Sequence, residues 1–215
     1  MMIALFNWFV KITGWPVQFL CFRTKILYED RRVQGRHIDG RAIIISNHTS
    51  VFDYAVYLFV FWTRTLRFQM AEVLYEKPLL GWFLRLLGGI RVDRNAHDFG
   101  FLPKSLSILS RGGVVGIFPE SRLPRPGEER PLPFKVSAAL LALESGAKIV
   151  PVVTNGSYFC RKRARVLIGK PILASDLLED GADEKENLAI VSERLRERIA
   201  ALEKLLYGTE TNESR

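Results

Sequence analysis

The sequence predicts an α/β fold with a central sheet, mainly parallel or mixed, flanked by helices and preceded by an N-terminal amphipathic two-helix hairpin. Three observations lead there. Short β-branched or apolar runs alternate with helix-length segments from residue 41 to residue 206, the pattern of strands joined by crossover helices. Hydrophobic residues make up 48% of the 215, enough for one sizeable core. The most apolar stretch, MMIALFNWFVKITGWPVQFLCF over residues 1–22, stands apart at the start.

The elements follow in order. Arg41–Ser46 (RAIIIS), bounded by Gly40 and Asn47, reads as a buried strand, and Asp53–Phe61 as an apolar helix. Pro78–Leu87 is a helix opened by proline, whose fixed φ suits a first turn, and closed by Gly88-Gly89. Ile90–Val92 reads as a strand, and Phe99–Leu109 as a helix with apolar Phe101, Leu102, Leu106 and Leu109. Gly112-Gly113 turns the chain into a strand, Val114–Phe118, and the four prolines of residues 123–133 mark a loop. Lys135–Glu144 is an alanine- and leucine-rich helix ended by Gly146, followed by strands at Ile149–Val153 and Val166–Ile168. The last helix, Glu184–Leu206, carries Leu188, Val191, Leu195, Ile199, Leu202 and Leu206 on one stripe.

A secretory signal would carry a basic region before its apolar run, and none precedes Ile3, so residues 1–22 are not expected to act as one. As a membrane span they would place Lys11 near mid-bilayer, at roughly 2.5–3.5 kcal/mol, and Gly14 and Pro16 would interrupt the helix. Two short helices dipping into one leaflet suit the tryptophans, which favour membrane interfaces, and the arginines that follow. A helix packed on the domain's own core and a single span are the alternatives. The expected divisions are membrane-interface helices over 1–35, the main domain over 36–207, and a disordered tail over 208–215.

Charge is uneven. Residues 176–215 hold 6 basic and 11 acidic side chains, leaving residues 1–175 with 25 against 12. A basic body attracts anionic partners such as a phospholipid surface or a phosphorylated substrate. No nucleic-acid recognition motif accompanies it, so nucleic acid is not an expected partner. Cys21 and Cys160 are far apart, and His37 and His97 lie far from His48; neither set has metal-ligand spacing, so no metal and no cofactor are expected. The run Arg161-Lys162-Arg163-Ala164-Arg165 reads as a solvated turn or as a contact for lipid or for the phosphates of a carrier.

His48 and Asp53 follow directly on the first clear strand, where α/β sheets place active sites. On one continuous helix they would stand about 140° apart, so they meet only if His48 lies in the turn before the helix. Ser50 allows that by starting the helix as its N-cap. Ser50-Val51-Phe52-Asp53 also matches a capping box, in which Asp53 merely satisfies a backbone N–H. Alternatively, a neutral imidazole takes the proton of an attacking hydroxyl while a carboxylate on its other nitrogen fixes the tautomer. The two readings stand side by side on these residues alone.

Four stretches in order resemble the blocks of the glycerolipid (1-acylglycerol-3-phosphate) acyltransferase family. Asn47–Asp53 resembles its Asn-His-x-Ser-x-x-Asp block and Gly88–Arg94 (GGIRVDR) its second. Phe118-Pro119-Glu120-Ser121-Arg122 resembles the third, usually Phe-Pro-Glu-Gly-Thr-Arg, and Ile149-Val150-Pro151-Val152 the fourth. The resemblance implies His48 as general base, Asp53 as its orienting carboxylate, and Arg94, Arg91, Glu120, Arg122, Asn47 and Ser50 around the substrate. It implies acyl transfer from acyl-CoA or an acyl carrier protein thioester to lysophosphatidic acid, giving phosphatidic acid; two cysteines without a disulfide framework fit the cytoplasmic face of a membrane as the expected location. The same chemistry on another lysolipid or amino-acid lipid is the alternative acceptor reading, and a non-catalytic basic membrane-binding protein the distant one. Two departures touch the acceptor's phosphate. The third block has Ser121 in place of glycine and is one residue short before its arginine, making Arg125 a fallback. Ala71 stands where the family often carries a phosphate-binding lysine.

Overall fold

A computed structural model describes residues 2–93, 100–159 and 163–213. Its strands are β1 (Lys25–Tyr28), β2 (Ala42–Ser46), β3 (Leu66–Ala71), β4 (Ile90–Val92), β5 (Val114–Ile117), β6 (Lys148–Thr154) and β7 (Arg165–Ile168). They form one seven-stranded sheet in the order β1-β7-β6-β2-β5-β3-β4. The β6–β7 pair is antiparallel and every other pair parallel. Helices are α1 (Met2–Val17), α2 (Asp53–Val60), α3 (Val73–Glu76), α4 (Pro78–Leu87), α5 (Phe101–Ser110), α6 (Val136–Ser145) and α7 (Glu184–Glu213).

Strand alternation divides the core between two faces. Ile43, Ile45, Val115, Ile117, Ile149 and Val153 face α5, α6 and the apolar stripe of α7. Ala42, Ile44, Val114, Val150 and Val152 face α2, which contributes Val56 to Val60, together with Phe68 and Leu87. The central strands are therefore buried on both sides, which is why they read as continuous apolar runs. Punctuation residues act as the sequence predicts: Pro78 opens α4, and Gly88 (φ +86°) and Gly146 (φ +56°) close α4 and α6 in the left-handed conformation.

α1 lies over α2 and α4 with its polar side inward. Asn7 donates to Leu87 O at 3.0 Å, and Lys11 Nζ donates to Trp62 O and Arg64 O at 2.9 and 2.7 Å. Burial lowers the Lys11 amine to about 8. The apolar side, with Leu5, Phe9, Ile12 and Trp15, is exposed. Among the described residues no helix is long and apolar enough to cross a membrane.

The expected two-helix arrangement takes a different form. α1 runs unbroken through Gly14 and Pro16 and passes into one π-helical segment, Gln18–Phe22. Gly14 serves packing rather than interruption: a Cβ there would lie 2.9 Å from the Phe59 ring. Pro16 removes one N–H donor near the end of α1 but does not end the helical path, which continues into the π-helical segment. The division expected at residue 35 is also corrected, because β1 is a full member of the sheet through β7. α7 continues to Glu213 where a disordered tail was expected from 208; extending a nucleated helix costs far less than starting one.

Candidate active site

β2, β5 and β6 are neighbours running in one direction, and the loops at their carboxyl ends converge. After β2 the chain passes through Asn47 and His48 in a turn, and α2 begins at Asp53 itself. This places His48 Nδ1 3.0 Å from Asp53 Oδ2. Asp53 is fully buried and the His48 side chain is 17% exposed.

A buried carboxylate needs compensation. Asp53 Oδ2 also accepts from the backbone N–H groups of Thr49 and Ser50, at 2.8 and 2.9 Å. Oδ1 accepts from Thr49 Oγ1 at 3.0 Å and from the Tyr158 hydroxyl at 2.7 Å. A negative charge in the first turn of α2 also meets the positive end of the helix dipole. Capping and orientation thus coexist: one carboxylate closes the turn and holds the imidazole. Ser50 is not the side-chain cap of α2; its hydroxyl accepts from Phe52 N at 3.2 Å, in a tight turn before the helix.

The imidazole stacks on Phe118, with centroids 4.2 Å apart and planes 15° from parallel. Phe118 is held in turn by Phe68 and Tyr57. Two residues on, Glu120 Oε1 accepts from His48 N and Oε2 from Leu132 N, each at 3.0 Å. Glu120 therefore ties the β5 loop to the His48 backbone, and burial pushes its carboxyl above the ordinary value against the pull of those two hydrogen bonds.

Asn47 was expected to bind substrate, but it is 1% exposed and its amide is engaged on both sides. Oδ1 accepts from Thr154 N at 2.9 Å, and Nδ2 donates to Thr154 O at 2.9 Å and to Glu203 Oε1 at 2.6 Å. It braces the end of β2 against β6 and α7. Burial raises the Glu203 carboxyl. Tyr158, just beyond β6, also bonds Thr154 Oγ1 at 3.0 Å, and burial followed by the Asp53 charge drives its phenol well above the ordinary range.

The expected phosphate ligands are not gathered here. Arg91 is exposed on β4, three strands from β2 and so about 14 Å across the sheet. Arg94 lies outside the described residues. Arg122 pairs with Glu128 at 2.7 and 2.9 Å, and Arg125 donates its backbone N–H to the same carboxylate. Ser121 sits at φ +61°, a conformation that glycine adopts freely. Ala71 is buried at the end of β3 and offers no cation. Among the described residues no cluster of His, Cys, Asp or Glu side chains could hold a metal ion.

Sequence reasoning named His48, Asp53 and Glu120 but missed Thr49, Tyr158 and Glu203. Tyr158 is 105 residues from Asp53 and left no local signal. Glu203 had one: it stands four residues after Ile199, on the buried stripe of the last helix.

Fold and site together define an α/β domain that presents a His–Asp pair, its carboxylate fully buried, at the carboxyl edge of three adjacent parallel strands. Residues 25–155, more than half the chain, match the Acyltransferase family, and the chain belongs to it. It is similar to a 1-acyl-sn-glycerol-3-phosphate acyltransferase of Limnanthes alba, with 34% identity over 138 residues, 61% of this chain and 47% of that one. The enzyme of the same name from Bacillus subtilis is 27% identical over 146 residues, covering 66% and 70%. The chain thus spans about half the length of the plant relative. A solved 1-acyl-sn-glycerophosphate (LPA) acyltransferase from Thermotoga maritima shares the fold, with a TM-score of 0.60 over 94% of this chain and 95% of that one at 18% identity.

Proposed function

We propose that this chain transfers a fatty acyl group from an acyl-CoA or acyl carrier protein thioester to the free hydroxyl of lysophosphatidic acid, giving phosphatidic acid. The observation that carries the reading is the 3.0 Å contact between His48 Nδ1 and the fully buried Asp53. With Nδ1–H donating to Asp53, the lone pair sits on Nε2, ready for a proton. The acceptor hydroxyl gives its proton to Nε2 as its oxygen bonds to the thioester carbonyl carbon. The C–S bond then breaks, and the departing thiolate takes the proton back from the imidazolium. Asp53 stabilises that imidazolium. The names of the relatives support the acceptor.

The acceptor's phosphate is assigned to Arg94 on its sequence block, with Arg125 on the loop after β5 as the fallback. The protein works at a membrane surface, at the cytoplasmic face. The outward apolar side of α1 and the π-helical segment supports the membrane surface, as do exposed Val51, Phe52 and Phe159 near the catalytic turn. The test is thioester-dependent acylation of lysophosphatidic acid by purified protein and by His48→Ala. Loss in the variant is expected; equal activity would remove His48 from its role. Preference for another lysolipid in an acceptor panel would move the reading to that acceptor.

A further inference from the structure

A second site lies away from the catalytic pair. A cavity of about 680 Å³ opens between the end of α1, the start of β1 and the C-terminal end of α2. Trp15, Phe19 and Leu20 form its apolar wall, and three arginines, Arg23, Arg36 and Arg163, also line it. None of the residues that touch His48 or Asp53 lines it. Phe22 stands between, its ring packed on Phe52, Tyr158 and Phe159.

The three arginines are arranged rather than scattered. Arg36 donates to Phe59 O at 2.7 Å and Val60 O at 2.8 Å, which fixes its charge at the end of α2. Arg163 Nε donates to the backbone O of Arg23 at 3.1 Å, which fixes the Arg163 guanidinium at the end of the π-helical segment. Arg23 itself closes the π-helical segment at φ +46°, a left-handed position that favours glycine or asparagine. The backbone gains nothing from arginine there. Among the described residues no carboxylate lies within salt-bridge distance of the three. Like charges gathered without a counter-ion attract an anion, and guanidinium suits phosphate geometry in particular.

The apolar wall decides which anion. Trp15, Phe19 and Leu20 continue the exposed apolar side of α1, so a ligand here has a phosphate beside hydrocarbon. We propose that this cavity binds the phosphate of an anionic bilayer phospholipid, with its chains along Trp15, Phe19 and Leu20, as a docking site separate from the acceptor that His48 activates. This rests on the membrane-surface reading above. The site sets the molecule's orientation: an anionic lipid held at one end of α1 keeps the catalytic turn, with Val51 and Phe52, against the same leaflet.

The test is co-sedimentation of the full chain with vesicles of phosphatidylcholine alone and of equal parts phosphatidylcholine and phosphatidylglycerol, with no thioester present. Wild type should bind the mixed vesicles more tightly. The double variant Arg23→Ala/Arg163→Ala should lose roughly tenfold or more of that affinity while keeping its binding to phosphatidylcholine. Lys104→Ala/Arg111→Ala, which removes two charges from a different cavity beside Arg67, should lose less. Equal losses in the two double variants would reduce the effect to general charge and overturn the site. Wild-type binding to both vesicles alike would overturn the site but leave the membrane reading standing, and binding to neither would overturn both. Displacement of wild type from mixed vesicles by free coenzyme A, down to the level of the arginine variant, would assign the cavity to a soluble phosphate carrier instead.

Discussion

Tyr158 donates its hydroxyl to Asp53 at 2.7 Å, on the carboxylate oxygen opposite the one that holds His48. The imidazole is thus positioned by a carboxylate that is itself pinned from the β6 side. Tyr158→Phe removes that pin and keeps the ring packing against Phe22. A hydrogen bond to a charged group is worth about 1.5–3 kcal/mol. The variant should stay folded and lose roughly tenfold or more in kcat, with KM for the acceptor little changed. Steady-state kinetics decide it, and an unchanged kcat would show that the Thr49 and backbone donors suffice.

Asp53→Asn tests the carboxylate itself. The amide oxygen can take the place of Oδ2 toward Thr49 N–H, Ser50 N–H and the imidazole, with the NH2 toward the Thr49 and Tyr158 hydroxyls, which can accept, so the change removes the charge and keeps the contacts. The imidazolium then loses the charge that stabilises it, and kcat should fall roughly tenfold or more, the worth of a hydrogen bond to a charged group. Thermal unfolding should also move down, because the turn before α2 exchanges a charged acceptor for a neutral one. A variant with normal kinetics and a lowered Tm would reduce Asp53 to a helix cap.

These two tests separate what was readable in the sequence from what was not. The turn that joins His48 to Asp53 is local, so five residues of sequence carried it. Whether the carboxylate caps the helix or orients the histidine could not be decided there, and the structure shows why: Ser50 N–H and His48 Nδ1 meet the same oxygen. Tyr158 reaches the site only through sheet pairing, which spacing does not reveal; Glu203 shows its burial in the stripe of the last helix, but its partner Asn47 comes only with the docking of α7. β1 and β3 were missed for a local reason. β3, LRFQMA, alternates buried Leu66 and Phe68 with half-buried Arg67 and Gln69, but it lacks the β-branched residues that marked the other strands. β1 is a half-buried edge strand among charges. Arg122 was drawn to the phosphate by its block, while Glu128, six residues on, claims it within the same loop.

Glu203 makes a pH-dependent contribution whose sign follows from its burial. Folding raises its carboxyl above the ordinary 4.5, as it does that of nearby Glu120. Folding therefore favours the protonated forms. Their stabilisation is fully present below 4.5 and is lost as pH rises through the raised folded values. Glu203→Gln keeps an oxygen for Asn47 Nδ2 and removes one of the two charges. Relative to wild type, its Tm should rise between pH 4.5 and neutrality and be near wild type below. Glu203→Ala leaves the Asn47 amide short of one acceptor and should lose about 1–3 kcal/mol. Thermal unfolding across this pH range checks both, and a constant difference between Gln and wild type would contradict the assignment.

Gly116 on β5 tests how far the imidazole depends on the aromatic packing beneath it. A Cβ at this position would lie 2.3–2.5 Å from three ring atoms of Phe68. Phe68 cannot retreat freely, since it packs on Tyr54, Tyr57 and Phe118, and Phe118 is the ring on which His48 stacks. Overpacking of this kind costs about 1–3 kcal/mol. Gly116→Ala should therefore lower the Tm and, through Phe118, also lower kcat, although residue 116 makes no contact with His48. Adding Phe68→Leu gives the methyl room and should recover stability, while kcat returns only if Phe118 regains its place under the imidazole. Recovery of both would show that the ring's position, rather than Phe68 itself, sets the histidine. A Gly116→Ala protein with reduced Tm and undiminished kcat would show instead that the Asp53 contact alone holds the imidazole in place.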